Sequence, residues 1–213
     1  MAQAYGLLVA GFNYSNVAAD EFHDWLDTEH IPERVRTPGF MRIQRWLGAA
    51  DPKISIVTYE LESHDVLHSP KYLAISQANM SPWSRRVSGK CRRICRFEAA
   101  QSRPGRQEPP AAAGGLLLVA LNVAPDHEVE FNRWFDEEHL PALAALDGVL
   151  AARRFQMPGG THRYLALYHL ASPEVQATPA WQQAVQTEWT AKMRPHFRDM
   201  LRLVLKPYVR GAG

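Results

Sequence analysis

The chain has 213 residues, 46% of them hydrophobic and 22% charged, the balance of a folded protein with a buried core. Its formal net charge of +2 argues neither for nor against a polyanionic partner, and its one basic cluster lacks the aromatic interleaving and larger charge of a nucleic-acid surface. No run approaches the ~18 apolar residues of a membrane span, so neither nucleic acid nor bilayer is an expected partner. Cys91 and Cys95 lie about 13 Å apart if their segment is a strand, too far for a disulfide, and Met1-Ala2-Gln3-Ala4-Tyr5 lacks the basic start of a signal peptide, so a cytoplasmic protein is expected.

In chain order, residues 6–13 form an apolar run of strand length. A helix over 18–31 follows, with Asp20 and Glu21 near its positive end, and Pro32 is expected to end or bend it. Thr37-Pro38-Gly39 turns into a strand at 40–47, and Asp51-Pro52-Lys53 connects it to a β-branched strand at 54–61. A helical region at 63–88 is broken at Ser69-Pro70 and again at Ser81-Pro82, and 90–98 reads as a closing strand. Residues 99–114, with Pro104, Gly105, Pro109, Pro110 and Gly114, have the composition of a linker. The second half predicts the same order: strand 115–122, helix 127–140, strands 149–156 and 163–170, helical region 173–200 and strand 201–207.

The two halves are one unit written twice. Phe22-His23-Asp24-Trp25-Leu26-Asp27-Thr28-Glu29-His30-Ile31-Pro32 returns as Phe131-Asn132-Arg133-Trp134-Phe135-Asp136-Glu137-Glu138-His139-Leu140-Pro141, an offset of 109. The same offset carries Gly6, Asn13, Gly39, Arg45, Tyr59 and Pro70 onto Gly115, Asn122, Gly148, Arg154, Tyr168 and Pro179. The fold class is therefore α+β, with tandem ferredoxin-like βαββαβ repeats at 1–98 and 115–213 and the linker between them. Each unit covers only one sheet face with helices, so the two are expected to pack sheet to sheet as an intrachain barrel.

At about 100° per residue, Phe22, Trp25, Leu26 and Glu29 share one helical arc, with His30 at its margin; Phe131, Trp134, Phe135, Glu138 and His139 repeat it. Glu29 and Glu138 are thereby expected to point inward beside an indole, while His23 and Asp27 face solvent. A carboxylate beside an imidazole, next to a cleft, can accept and donate protons near neutral pH.

The pattern Trp-x-Asp-x-Glu-His-[Ile/Leu]-Pro after a first strand, followed by a Gly and an Arg-bearing second strand, resembles the dimeric α/β-barrel superfamily, and within it the EthD-like proteins. The resemblance spans both halves. It implies isomerases, cyclases or cofactor-free monooxygenases as relatives, normally built from two chains where this one carries both units.

The candidate catalytic residues are His30, Glu29, His139, Glu138, Arg45 and Arg154. The histidines act as acid or base, the glutamates orient them, and the arginines hold an oxyanion or instead pair with the glutamates and lower their pKa. A structural alternative has Glu accept backbone hydrogen bonds and His cap the helix end. Trp25, Trp134, Asn13, Asn122, Tyr59 and Tyr168 are candidate substrate contacts, each with a packing or turn role as its alternative. His23-Asp27-His30 has metal-ligand spacing, but the second copy offers Asn132-Asp136-His139, so no metal is expected. The superfamily also contains haem binders, yet no axial-ligand signature is readable, so no cofactor is expected. Arg85, Arg86, Lys90, Arg92, Arg93 and Arg96 form the one charge run and read as a solvated helix end and strand edge.

The expected function is a cofactor-independent isomerase or lyase that moves protons on a small oxygenated or aromatic metabolite. A cofactor-free monooxygenase of phenols is the second reading, and a non-catalytic binding or assembly module the third. The partner is a small molecule, with room for a homodimer of the two-repeat chain.

Overall fold

The computed structural model describes residues 3–211; Met1 and Ala2, at the head of the stretch read for a leader, lie outside it. The chain divides into two units, the first ending at Ala100 and the second beginning at Gln101.

The first unit contains β1 (Gly6–Asn13), α1 (Ala19–Trp25), α2 (Ile31–Val35), β2 (Phe40–Gly48), β3 (Ile54–Leu61), α3 (Pro70–Leu73), α4 (Pro82–Lys90) and β4 (Arg92–Arg103). Its antiparallel sheet has the order β4-β1-β3-β2. The second unit contains β5 (Gly115–Val123), α5 (Glu128–Trp134), α6 (Leu140–Ala144), β6 (Val149–Gln156), β7 (Tyr164–Leu170), α7 (Pro179–Ala184), α8 (Glu188–Met193) and β8 (Phe197–Pro207). Its sheet repeats the order as β8-β5-β7-β6. In each unit one sheet face packs on the aromatic stripe of the first helix: Phe22, Trp25 and Leu26 against Leu8, Val57 and Tyr59, and Phe131, Trp134 and Phe135 against Leu117, Ala166 and Tyr168. Gly39 and Gly148 both take positive φ, +89° and +82°, and a Cβ at either would run into Val66 or Val175. That backbone region is nearly free for glycine alone.

Three boundaries differ from the sequence expectation. The strand β4 continues to Arg103 because the alternation of buried Phe97, Ala99 and Gln101 persists, with Ala99 opposite Leu7, so the linker begins after it. The strand β8 starts at Phe197, not at Leu201. Most consequentially, neither Pro32 nor Pro141 ends its helix.

The cause is a π turn. Leu26–His30 and Phe135–His139 wind with wider rings, in which the Ile31 N–H donates to the Leu26 carbonyl and the Leu140 N–H to the Phe135 carbonyl, five residues back. A proline following such a turn gives up no α-type bond the helix needed, so α2 and α6 continue beyond it. The π turn also adds a residue to the helix circumference. Side chains after Trp25 and Trp134 therefore rotate away from positions that a uniform period predicts.

Candidate functional site

The rotation separates Glu from His. Glu29 turns toward α4, where its Oε1 accepts hydrogen bonds from Ser81 Oγ at 2.5 Å and Ser84 Oγ at 3.0 Å. Ser81 caps α4, accepting the Ser84 N–H, and Trp25 Nε1 donates to Ser84 Oγ at 2.9 Å. The second unit does the same with other hydroxyls. Thr187, the cap of α8, donates to Glu138 Oε1 at 2.6 Å, and Trp134 Nε1 donates to Thr190 Oγ1 at 3.2 Å. Each glutamate thus fastens the first helix to the N-terminus of the last one, where a carboxylate is favoured by unsatisfied N–H groups. Neither glutamate is among the described residues that line the two cavities holding His30 and His139. The expectation of a Glu–His pair facing a cleft is corrected on this point.

The arginines pair elsewhere too. Arg154 Nη1 donates to Asp136 Oδ1 at 2.7 Å and Nη2 to Asn132 Oδ1 at 2.6 Å; Arg45 binds Asp27 and donates to His23 Nδ1 at 2.6 Å. His23 and Asp27, expected in solvent, are therefore partners of Arg45, and His23 Nε2 sits 3.3 Å from Tyr14 Oη. Asn13 and Asn122 are loop stitches: Asn13 Oδ1 accepts from the Ser15 N–H, and Asn122 bonds Thr161, Arg163 and Asp199. Neither lines either of those two cavities, and their hydrogen bonds are those of the turn role.

His30 and His139 do face cavities. In the second unit a cavity of about 500 Å³ lies between the helices and the sheet. Its walls include the sequence candidates Trp134, His139, Arg154 and Tyr168. Phe135, which the sequence placed on the inward arc without a role, lines it too. Sequence reasoning missed Tyr164, Trp181, Gln176, Arg194 and Arg202, which share no motif and meet only through the fold. The His139 ring lies 4.4 Å from Trp134 and 5.0 Å from Phe135, and burial, then the charge of Arg154, pulls its pKa down to about 4. Burial likewise pushes the Tyr168 hydroxyl well above its ordinary value. Among the described residues no Asp, Glu or Cys lines this cavity, which leaves neutral His139 as the base they offer. Arg154 packs over Phe131, Phe135 and Tyr164, and its Nε–H is buried with no hydrogen-bond partner. A buried donor without a partner is costly, and an oxyanion in the cavity would satisfy it.

The first unit holds a cavity of about 280 Å³, lined by Trp25, His30 and Tyr59 but not by Arg45. Burial, then Arg34 and Arg96, holds His30 well below its ordinary pKa. Arg93 and Arg96, expected in a solvated charge run, line this cavity as well.

Among the described residues no group of three or more His, Cys, Asp or Glu is placed to hold a metal, and no helix is long and apolar enough to cross a membrane. Cys91 and Cys95 are free thiols, raised by burial to about 11 and about 12.

No family model matches the sequence, and no curated protein matches it. Solved structures do. A protein provisionally named a monooxygenase, from Fusobacterium nucleatum, superposes with a TM-score of 0.65 at 8% identity, covering 97% of this chain and 94% of its own. An anthrone oxidase-like protein gives 0.65 at 10% identity over 97% and 92%. A heme-binding protein from Thermus thermophilus gives 0.59 at 11% identity over 97% and 92%. These likenesses show the fold. It is α+β, with tandem ferredoxin-like repeats of the dimeric α/β-barrel type.

Haem was tested against the residues present. A ligating histidine almost always donates its second ring N–H to an acceptor. His139 Nδ1 is buried with no partner, and His30 Nδ1 is the same. Neither cavity fits haem ligation by its histidine.

Proposed function

We propose that the second unit is the catalytic half of a small-molecule enzyme, a cofactor-independent oxidase or monooxygenase of flat, largely apolar, phenol- or anthrone-type substrates. The observation that carries the reading is the aromatic cavity that His139 and Arg154 line together, with Arg154 Nε–H unpartnered and no carboxylate among the described lining residues. The names of the monooxygenase and the anthrone oxidase-like protein support the same class, and the Trp134-to-Pro141 motif adds the resemblance to EthD-like proteins.

Substrate lies between Trp134, Phe135, Tyr164 and Trp181, which exclude water and strengthen every charge interaction inside. His139, unprotonated at neutral pH, takes a proton from an activated C–H. The resulting anion is delocalised onto a ring oxygen, which Arg154 stabilises. The electron-rich carbon passes one electron to dioxygen, and the radical pair recombines to form the C–O bond. The imidazolium returns its proton to the distal oxygen. Loss of water then leaves a carbonyl, so CH₂ and O₂ give C=O and H₂O with no outside reductant. The enzyme is cytoplasmic in this reading, with room for a homodimer.

Isomerase or lyase chemistry would use the same proton abstraction, but it loses the second acid–base group because Glu138 accepts the Thr187 hydroxyl outside the cavity instead. Oxygen decides between them. Incubation with hydroxylated anthrones and naphthols should consume dioxygen without added flavin or metal, and His139→Gln should stop it. Isomerised or dehydrated product with no oxygen uptake would refute the proposal.

A further inference from the structure

The first unit's cavity, at about 280 Å³ against about 500 Å³, is lined by corresponding residues of its own repeat but has different chemistry. The position of Arg34 in α2 is held by Leu143 in α6, and that of Tyr72 in α3, which donates its N–H to the Ser69 cap, by Trp181, which does so to Thr178. The loop after α3 is longer in the first unit, placing Ser76, Gln77 and Met80 at the cavity wall. Arg96, opposite Ala10 on β1, matches Arg202, opposite Val119 on β5, and is common to both. The first cavity thus adds Arg34 to the shared arginine, with Arg93 also in its lining. Arg34 pairs with Glu33 and donates to the His30 and Ile75 carbonyls, Arg96 pairs with Glu98, and neither of those carboxylates is in the lining.

Two hydroxyls in that lining have nothing to bond. Tyr59 is 1% exposed and Ser76 4%, and neither Tyr59 Oη nor Ser76 Oγ has a hydrogen-bond partner. Tyr59 is pushed far from ionisation by burial, so it remains a donor. Unmade bonds of this kind cost stability in an empty site and are recovered when a ligand supplies the acceptors. Arg96 donates through Nε and Nη2 to Glu98 Oε1, at 2.9 and 2.5 Å, and through Nη2 to Tyr72 Oη at 3.1 Å, which orients the guanidinium and leaves Nη1 for a ligand. Leu8, Phe12, Trp25 and Met80 supply an apolar floor.

We infer that the first unit binds a small organic carboxylate, its head group taken by Arg34, Arg96, Tyr59 and Ser76 and its apolar body by Phe12, Trp25 and Met80. A carboxylate offers about four lone-pair sites, matching the two cations and two hydroxyls. The cavity's apolar share favours an acid with a ring or short chain over a bare inorganic anion. This site is separate from the oxygenase cavity and does not depend on that reading.

The test is calorimetric titration of the full chain with benzoate, benzamide and inorganic phosphate. Benzoate should bind one per chain, with benzamide and phosphate each at least about tenfold weaker, the equivalent of one charged hydrogen bond. Tyr59→Phe removes a hydroxyl that has no partner in the empty site, so it should leave the melting temperature unchanged or raised while weakening benzoate about tenfold. Ser76→Ala should act the same way, and Arg154→Met in the other unit should leave benzoate binding intact. The inference fails if benzoate does not bind at millimolar concentration or if benzamide or phosphate binds as well as benzoate. It fails equally if neither hydroxyl variant weakens binding, or if Arg154→Met abolishes it.

Discussion

The buried imidazole of His139 makes a quantitative claim about acid stability. Its pKa falls from 6.5 to about 4 on folding, chiefly through burial and then through Arg154. The unfolded chain therefore binds this proton first as pH drops. The stability associated with neutral His139 is complete above 6.5 and is lost as pH falls from 6.5 toward 4. Integrated from pH 8 to pH 5, the shift amounts to about 2 kcal/mol, trimmed toward about 1 because the ring meets the cavity and water can enter it. His139→Gln removes the titration. Urea unfolding of both proteins at pH 8 and pH 5 isolates the term, since His30 and every other group contribute alike to both and cancel in the difference. The wild type should lose about 1–2 kcal/mol more than the variant over this interval. Equal losses would mean that the imidazole is solvated or paired, and the neutral-base argument would go with it.

Other outcomes follow from the same contacts. Activity toward a phenolic or anthrone-type substrate should be level from pH 8 to about pH 5 and fall only as His139 protonates near pH 4, whereas an ordinary histidine would produce a break near 6.5 in the pH–rate profile. Arg154→Met should cut kcat about 10²–10³-fold, the usual cost of losing one oxyanion donor, in single-turnover measurements. Glu138→Gln weakens the tie to Thr187 and should lower thermal stability by about 1–2 kcal/mol while leaving kcat within a factor of about two, because the carboxylate lies outside the cavity. Gly148→Ala forces a side chain into φ +82° with its Cβ 2.8 Å from Val175, and should cost about 1–3 kcal/mol in denaturant titration.

The offset of 109 and the alternating and helical periods determined the element order, both aromatic stripes and the glycines of the turns. These are local matters: which face is apolar, where a chain must take positive φ, and which segment recurs. The same reading singled out Trp134, His139, Arg154 and Tyr168, four residues that line one cavity of the folded chain. It could not separate the glutamates from the histidines, because one uniform helical period was carried through Leu26–His30 and Phe135–His139, where the backbone instead winds a π turn. Nor could it see that Ser81 and Thr187 would receive those glutamates, since hydroxyls some 50 positions away meet them only after the last helix docks. The unlike chemistry of the two cavities was hidden for the same reason. Arg34 and Leu143, or Tyr72 and Trp181, are unremarkable in sequence, and it is tertiary packing that turns each pair into the wall of a pocket. Periodicity reports which side of an element is buried; what a buried polar group touches is set by side chains distant in the chain, and only the folded structure brings those together.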